Sequence, residues 1–135
     1  MILAGGGLVA AAWSGPAAAQ DGTGPTGRWL AEDIGGGGVV DRIQTVLDIA
    51  ADGRVTGSGG CNRIAGQARI DGAAISFSQM ASTRMACPPA VMDQEAKFLA
   101  ALGQVSRWRI DELRRKLFLE DGTGKVLVVL ARHAG

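Results

Sequence analysis

Apolar and polar positions alternate through most of the chain after Arg28, in short runs broken by Asp-Gly pairs. Arg28–Ile34 (RWLAEDI) reads as a first strand, stopped by Gly35-Gly36-Gly37-Gly38. Gln44–Ala50 and Arg54–Ser58 flank Asp52-Gly53, and Arg63–Ile70 and Ala73–Phe77 flank Asp71-Gly72. Apolar or β-branched runs on both sides of Asp-Gly are a strong hairpin signal. A third unit joins Lys116–Glu120 to Lys125–Ala131 through Asp121-Gly122-Thr123-Gly124, and Val105–Ile110 supplies one more strand. The run KVLVVLA is apolar on both faces, as in a central strand.

One segment has a helical period. Pro88-Pro89 leads into AVMDQEAKFLAAL, which predicts a helix over about 89–102. Val91, Met92, Phe98, Leu99 and Leu102 gather on one side, with Asp93, Gln94 and Lys97 on the other. Pro89 suits the first helical position, and Gly103 suits the exit. The expected fold is α+β and mainly β: seven to eight short antiparallel strands in a twisted or barrel-like sheet, with the helix as its plug.

The beginning of the chain has a different composition. Met1–Ala19 is apolar or small throughout, without a charged side chain, and ends in Ala17-Ala18-Ala19. That is the pattern of a secretory signal peptide cleaved near Ala19. No Cys stands there to take a lipid anchor, and the run is too short and Gly-rich to span a bilayer well. No stable membrane span is expected after cleavage, and the product should be periplasmic or secreted. Gln20–Gly27 predicts a flexible linker, which leaves one domain over 28–133 with a single modest core.

Composition narrows the function. Fourteen Lys plus Arg against thirteen Asp plus Glu give no basic excess with which to seek nucleic acid. One His, two Cys and no Tyr supply few groups for acid-base or nucleophilic chemistry, so no enzyme and no cofactor are expected. Gly57-Ser58-Gly59 lacks both the nucleophile elbow and the third glycine of a dinucleotide loop.

Two loops escape the hairpin pattern, Gly57–Arg63 and Gln79–Pro89, and each holds one cysteine. An even Cys count in an exported domain favours a Cys61–Cys87 disulfide; two buried free thiols are the alternative. Met80, Met85, Cys87 and Met92 form a set that could select Cu(I), but Met is also a common core filler and a bridged Cys cannot ligate. A cysteine nucleophile would need His133, two residues from the end, with Asn62 or an Asp as orienter. Glu95 shares the i, i+4, i+7, i+11 spacing with Val91, Phe98 and Leu102. A carboxylate on a buried face needs a partner, and Arg84 or Arg63 could supply a bidentate pair. That reading makes Glu95 a structural clamp.

Gly57-Ser58-Gly59-Gly60-Cys61-Asn62-Arg63 with Gly66, then Met80–Pro88, then Gln94-Glu95 and Phe98-Leu99 with Leu102, resemble the motifs of the META domain, the HslJ-like heat-shock family. The resemblance covers nearly all of 28–132. It implies a bacterial envelope-associated domain with a small β-rich fold and a packed helix, no catalytic residues to carry over, and a broad link to stress or antibiotic tolerance. By fold analogy it also implies similarity to a secretin pilotin, a cracked barrel with an apolar groove. The leading expectation is a non-enzymatic binding or interaction module for an envelope protein, with Asn62, Arg63, Thr83 and Arg84 either as polar contacts at a groove or as internal hydrogen bonds locking the loops. The competing expectation is a carrier of a lipid or small apolar ligand, with Val91, Phe98, Leu102, Trp108 and Leu127 lining the pocket.

Overall fold

A computed structural model describes residues 24–133 of the chain; the leader expected over 1–19 lies outside the described residues. Nine strands and one helix follow in order: β1 (Gly27–Ile34), β2 (Val46–Ile49), β3 (Arg54–Ser58), β4 (Arg63–Asp71), β5 (Ala74–Phe77), β6 (Ala81–Ser82), α1 (Pro89–Leu102), β7 (Arg107–Asp111), β8 (Lys116–Glu120) and β9 (Val126–Arg132). The eight strands and the helix expected from the pattern are all present. The ninth strand, β6, is a two-residue addition within the second cysteine loop.

All pairings are antiparallel, in the order β3-β2-β1-β9-β8-β7-β5-β4-β6, and β4 pairs again with β3 to close a ring. β9 lies between β1 and β8, so its two-faced apolar run sits within the ring. The join between β5 and β7 is narrow: one ladder pair, Ala74 with Arg107, helped by Ile75 N–H to Ser106 O, Trp108 N–H to Ala73 O and the Trp108 indole N–H to Gly72 O at 2.8 Å. Val105, expected inside this strand, is buried just ahead of it.

The turns follow their chemistry. Gly53, Gly72 and Gly124 adopt positive φ, a region open to glycine at little steric cost. The expected linker Gln20–Gly27 ends in contacts: Gly27 opens β1, Pro25 O accepts the Trp29 indole N–H at 2.9 Å, and Thr26 O accepts from Arg132.

Trp29, Leu47, Val55, Leu117, Leu119, Val128 and Leu130 fill the barrel. Helix α1 covers the end that carries the β1–β2 and β3–β4 connections, inserting Phe98 and Leu102 into the core. Its buried positions are Val91, Gln94, Glu95, Phe98 and Leu102. This corrects the expected faces, since Gln94 is inside and Met92 is 39% exposed. The helical repeat places 94 between 91 and 98 on one stripe, whatever the polarity of its side chain. Gly103 follows the last helical residue at φ −66, and its N–H donates to Leu99 O. Phe98, Leu102 and Leu127 belong to the packed core, and Trp108 packs against it. These side chains, expected to line an apolar pocket, are core rather than wall.

Candidate functional site

The two cysteine loops meet over the first half of α1. The β3–β4 turn, Gly59-Gly60-Cys61-Asn62, lies against the helix so closely that a Cβ at Gly59 would overlap the Glu95 side chain. Glu95 is 5% exposed and Asn62 2%. Glu95 Oε1 accepts the Asn62 backbone N–H at 2.7 Å and the Cys61 N–H at 3.2 Å. Its Oε2 accepts Asn62 Nδ2–H at 2.8 Å. The carboxylate is thus a clamp on a turn whose amide donors would otherwise be buried without acceptors.

Asn62 carries the clamp onward. Its Oδ1 accepts the Met85 N–H at 2.7 Å and the Thr83 hydroxyl at 2.9 Å. Because Met85 N–H can only donate, the orientation of the Asn62 amide is fixed. Thr83 Oγ1 accepts the Arg63 N–H at 3.1 Å, and Thr83 N–H donates to Arg63 O. Cys61 and Cys87 form a disulfide, with Cα atoms 6.4 Å apart, a bond that fits an extracytoplasmic setting. The loop Gln79–Pro89 is therefore pinned by β6 on β4, by Asn62 and by the disulfide.

Of the residues singled out by sequence, Cys61, Cys87, Asn62, Thr83 and Glu95 come together. Arg63 and Arg84 do not pair with Glu95; both are exposed, and the turn amides and the Asn62 carboxamide occupy the carboxylate instead. A guanidinium would have to lose its hydration to reach a site that local N–H groups already fill. His133 stands apart from the cysteines, its N–H donating to Arg28 O. Among the described residues no group of three His, Cys, Asp or Glu is placed to hold a metal ion, and no helix is long and apolar enough to cross a membrane.

A second clamp escaped the sequence reading. Gln94 Oε1 accepts the Val40 N–H, and its Nε2 donates to Thr45 Oγ1 at 3.0 Å. The Thr45 hydroxyl donates in turn to Gly59 O at 3.0 Å. Gln94 thereby ties the Gly35–Gln44 loop to α1, next to Glu95, which ties the β3–β4 turn. The signal was the helical spacing itself, which puts Gln94 on the buried stripe.

Beside this framework lies an open pocket of about 920 Å³, bordered by the 79–86 loop on one side and by Met92 and Glu95 of α1 on the other. Met80, Met85 and Met92 contribute thioethers to its wall, and Arg84 contributes a cation. Met85 is 54% exposed. The polar groups Asn62 and Glu95 are engaged with one another and with the loop, so the free surface is thioether, small side chain, the Gln79 carboxamide and the Arg84 guanidinium.

A family model described as the META domain matches residues 23–134. A search of curated proteins returned no match. Among solved structures, an NMR structure of a protein from Burkholderia xenovorans is 24% identical with a TM-score of 0.67, covering 89% of each chain. A second NMR structure is 20% identical with a TM-score of 0.57, covering 78% of this chain and 87% of the other. A crystal structure of a DUF4847 family protein from Bacteroides vulgatus ATCC 8482 is 21% identical with a TM-score of 0.51, covering 67% of this chain and 60% of the other. At these identities the likeness is one of fold.

Proposed function

The chain belongs to the META domain family, and on that footing we propose that it is a non-enzymatic interaction module that works outside the cytoplasm. The pocket between the 79–86 loop and α1 is its contact surface, and its occupant is a segment of an envelope protein carrying apolar side chains and a carboxylate. The observation that carries this reading is the pairing of a rigid base with an adaptable wall. The loop is pinned by Asn62, Thr83 and the Cys61–Cys87 disulfide, yet it presents Met80 and Met85 to the opening, facing Met92 of α1 across it. Loops held on a rigid scaffold are the usual place for recognition, and Met side chains adapt to varied apolar partners. Arg84, exposed in the same wall, supplies the charge that would orient a carboxylate.

Export after cleavage near Ala19 is part of the proposal, supported by the leader-like composition of Met1–Ala19 and by the disulfide. A role in stress or antibiotic tolerance is the cellular setting that the family resemblance implies.

Site-specific photo-crosslinking in intact cells tests the contact surface. A crosslinker at Met85 should capture a discrete envelope protein, and Arg84→Glu in the same chain should abolish the capture. The same crosslinker at Leu113, 97% exposed on the β7–β8 turn, should not capture it. Equal capture from both positions, or none from Met85, overturns the proposal.

A further inference from the structure

A second concavity lies on the outer face of the barrel, across β1 to β4. In an antiparallel sheet, residues opposite one another share a face. Arg28 pairs with Asp48, and Asp48 with Thr56; one row along, Val46 pairs with Ser58, and Ser58 with Arg63. Leu47, Ile49, Val55 and Ile64 alternate with these positions and fill the core, so both rows face outward. The β1–β2 connection brings Arg42 to their edge, with the backbone of Arg42 at φ 66, a region that side-chain-bearing residues seldom adopt.

The result is a hollow of about 650 Å³ whose wall includes Arg28, Arg42, Arg63, Gln44, Thr56 and Ser58, with Asp48 as its one carboxylate. Arg28 Nε stands 3.8 Å from Asp48 Oδ2 with both side chains well exposed, a loose pair in water. Arg42 and Arg63 have no ion-pair partner among the described residues. A chain whose net charge is only +1 therefore concentrates three positive charges against one negative in a single depression. Around them stand two hydroxyls and a carboxamide, all able to donate.

We propose that this hollow binds a phosphate-bearing anion. A dianion would neutralise the local excess. Its several acceptor oxygens match guanidinium forks better than a single point charge would, while Thr56, Ser58 and Gln44 can donate to the remaining oxygens. The site is separate from the methionine-walled pocket. The two meet only at the Asn62-Arg63 step, where the Arg63 main chain is held by Thr83 and its side chain turns to the outer face. A soluble phosphate ester and a lipid headgroup share this chemistry, and the test separates them.

The experiment uses the oxidised chain. Binding of inorganic phosphate and of glycerol phosphate is measured by titration calorimetry, and binding to phosphatidylglycerol-containing vesicles by co-sedimentation against pure phosphatidylcholine vesicles. The paired variant Arg42→Gln/Arg63→Gln should lose affinity about tenfold or more with an unchanged melting temperature, since both side chains are exposed. Arg69→Gln/Arg107→Gln, with the same change in net charge on other exposed positions, should bind as the unaltered chain does. Saturable binding of the soluble phosphates alone identifies a free ester as ligand; binding confined to the anionic vesicles identifies a headgroup. Absence of binding in both arms, or binding that the Arg42/Arg63 variant retains in full, overturns the proposal.

Discussion

Both carboxylate oxygens of Glu95 are taken by Asn62, one by its main-chain N–H and the other by its side-chain amide. A helix residue thus grips a turn residue thirty-three positions earlier at two points, and that turn residue grips the next loop through its remaining oxygen. Glu95→Ala would leave buried N–H groups of Cys61 and Asn62 without an acceptor and should cost about 3 kcal/mol or more. Glu95→Gln keeps one acceptor oxygen and loses the match to Asn62 Nδ2–H, so about 1–2 kcal/mol is expected. Urea melts of the oxidised protein check the order. A Glu95→Ala midpoint equal to that of the unaltered chain would remove Glu95 as the clamp.

The disulfide closes a loop between residues 26 apart in sequence. In the chain-entropy account such a crosslink is worth about 3–4 kcal/mol. Replacing both cysteines by Ser should lower the melting temperature accordingly, with the β-sheet signature in circular dichroism retained. An unchanged melting temperature would mean that Asn62, Thr83 and β6 hold the loop without it.

Two glycines separate space from conformation. A Cβ at Gly57 would run into the Val46 carbonyl across the β2–β3 ladder, a backbone atom that cannot turn aside. Gly57→Ala should therefore destabilise by about 3 kcal/mol or fail to fold. Gly72 has open space around it but φ +59, so Gly72→Ala should cost only about 1 kcal/mol, from backbone conformation alone. Comparable losses at the two sites would contradict this division.

Asp121 closes the β8–β9 turn, and its carboxyl is held below the ordinary value of 3.8. The Thr123 hydroxyl is the main cause, followed by the Thr123 N–H; desolvation opposes them more weakly, and the Lys125 N–H and charge add smaller lowering effects. Because the folded value lies below the unfolded one, the stabilisation is complete above pH 3.8 and is lost as pH falls through the folded value. The gap in melting temperature between the unaltered chain and Asp121→Ala should thus be constant near neutrality and shrink as the solution is acidified below 3.8. A gap that widens in acid would reverse the assignment.

Much of the barrel was legible because its turns are Asp-Gly steps and its strands alternate. The helix was bracketed by Pro88-Pro89 and Gly103 in the same way. The short β6 carried no such mark, since Ala81 and Ser82 are exposed on a strand of only two residues. Glu95 was readable as a buried carboxylate from its spacing, but its partner was not. Charge suggested Arg63 or Arg84, whereas the donors are turn amides, which every sequence has and no letter advertises. Gln94 was hidden by polarity, although the helical repeat that found Glu95 places it on the same stripe.

The unequal seams of the ring also give the fold a preferred way to come apart. β1 to β5 form one meander and β7 to β9 another, joined along the long β1–β9 ladder and at the single Ala74–Arg107 pair. The molecule is built like a book, with β1–β9 as the spine and β5–β7 as the fore-edge held by a few stitches. Sub-global breathing would start at the fore-edge and swing about the spine. Neither the Glu95 clamp nor the disulfide, both set around the β3–β4 turn and α1, crosses that opening. The recognition loops can then stay assembled while the barrel wall flexes.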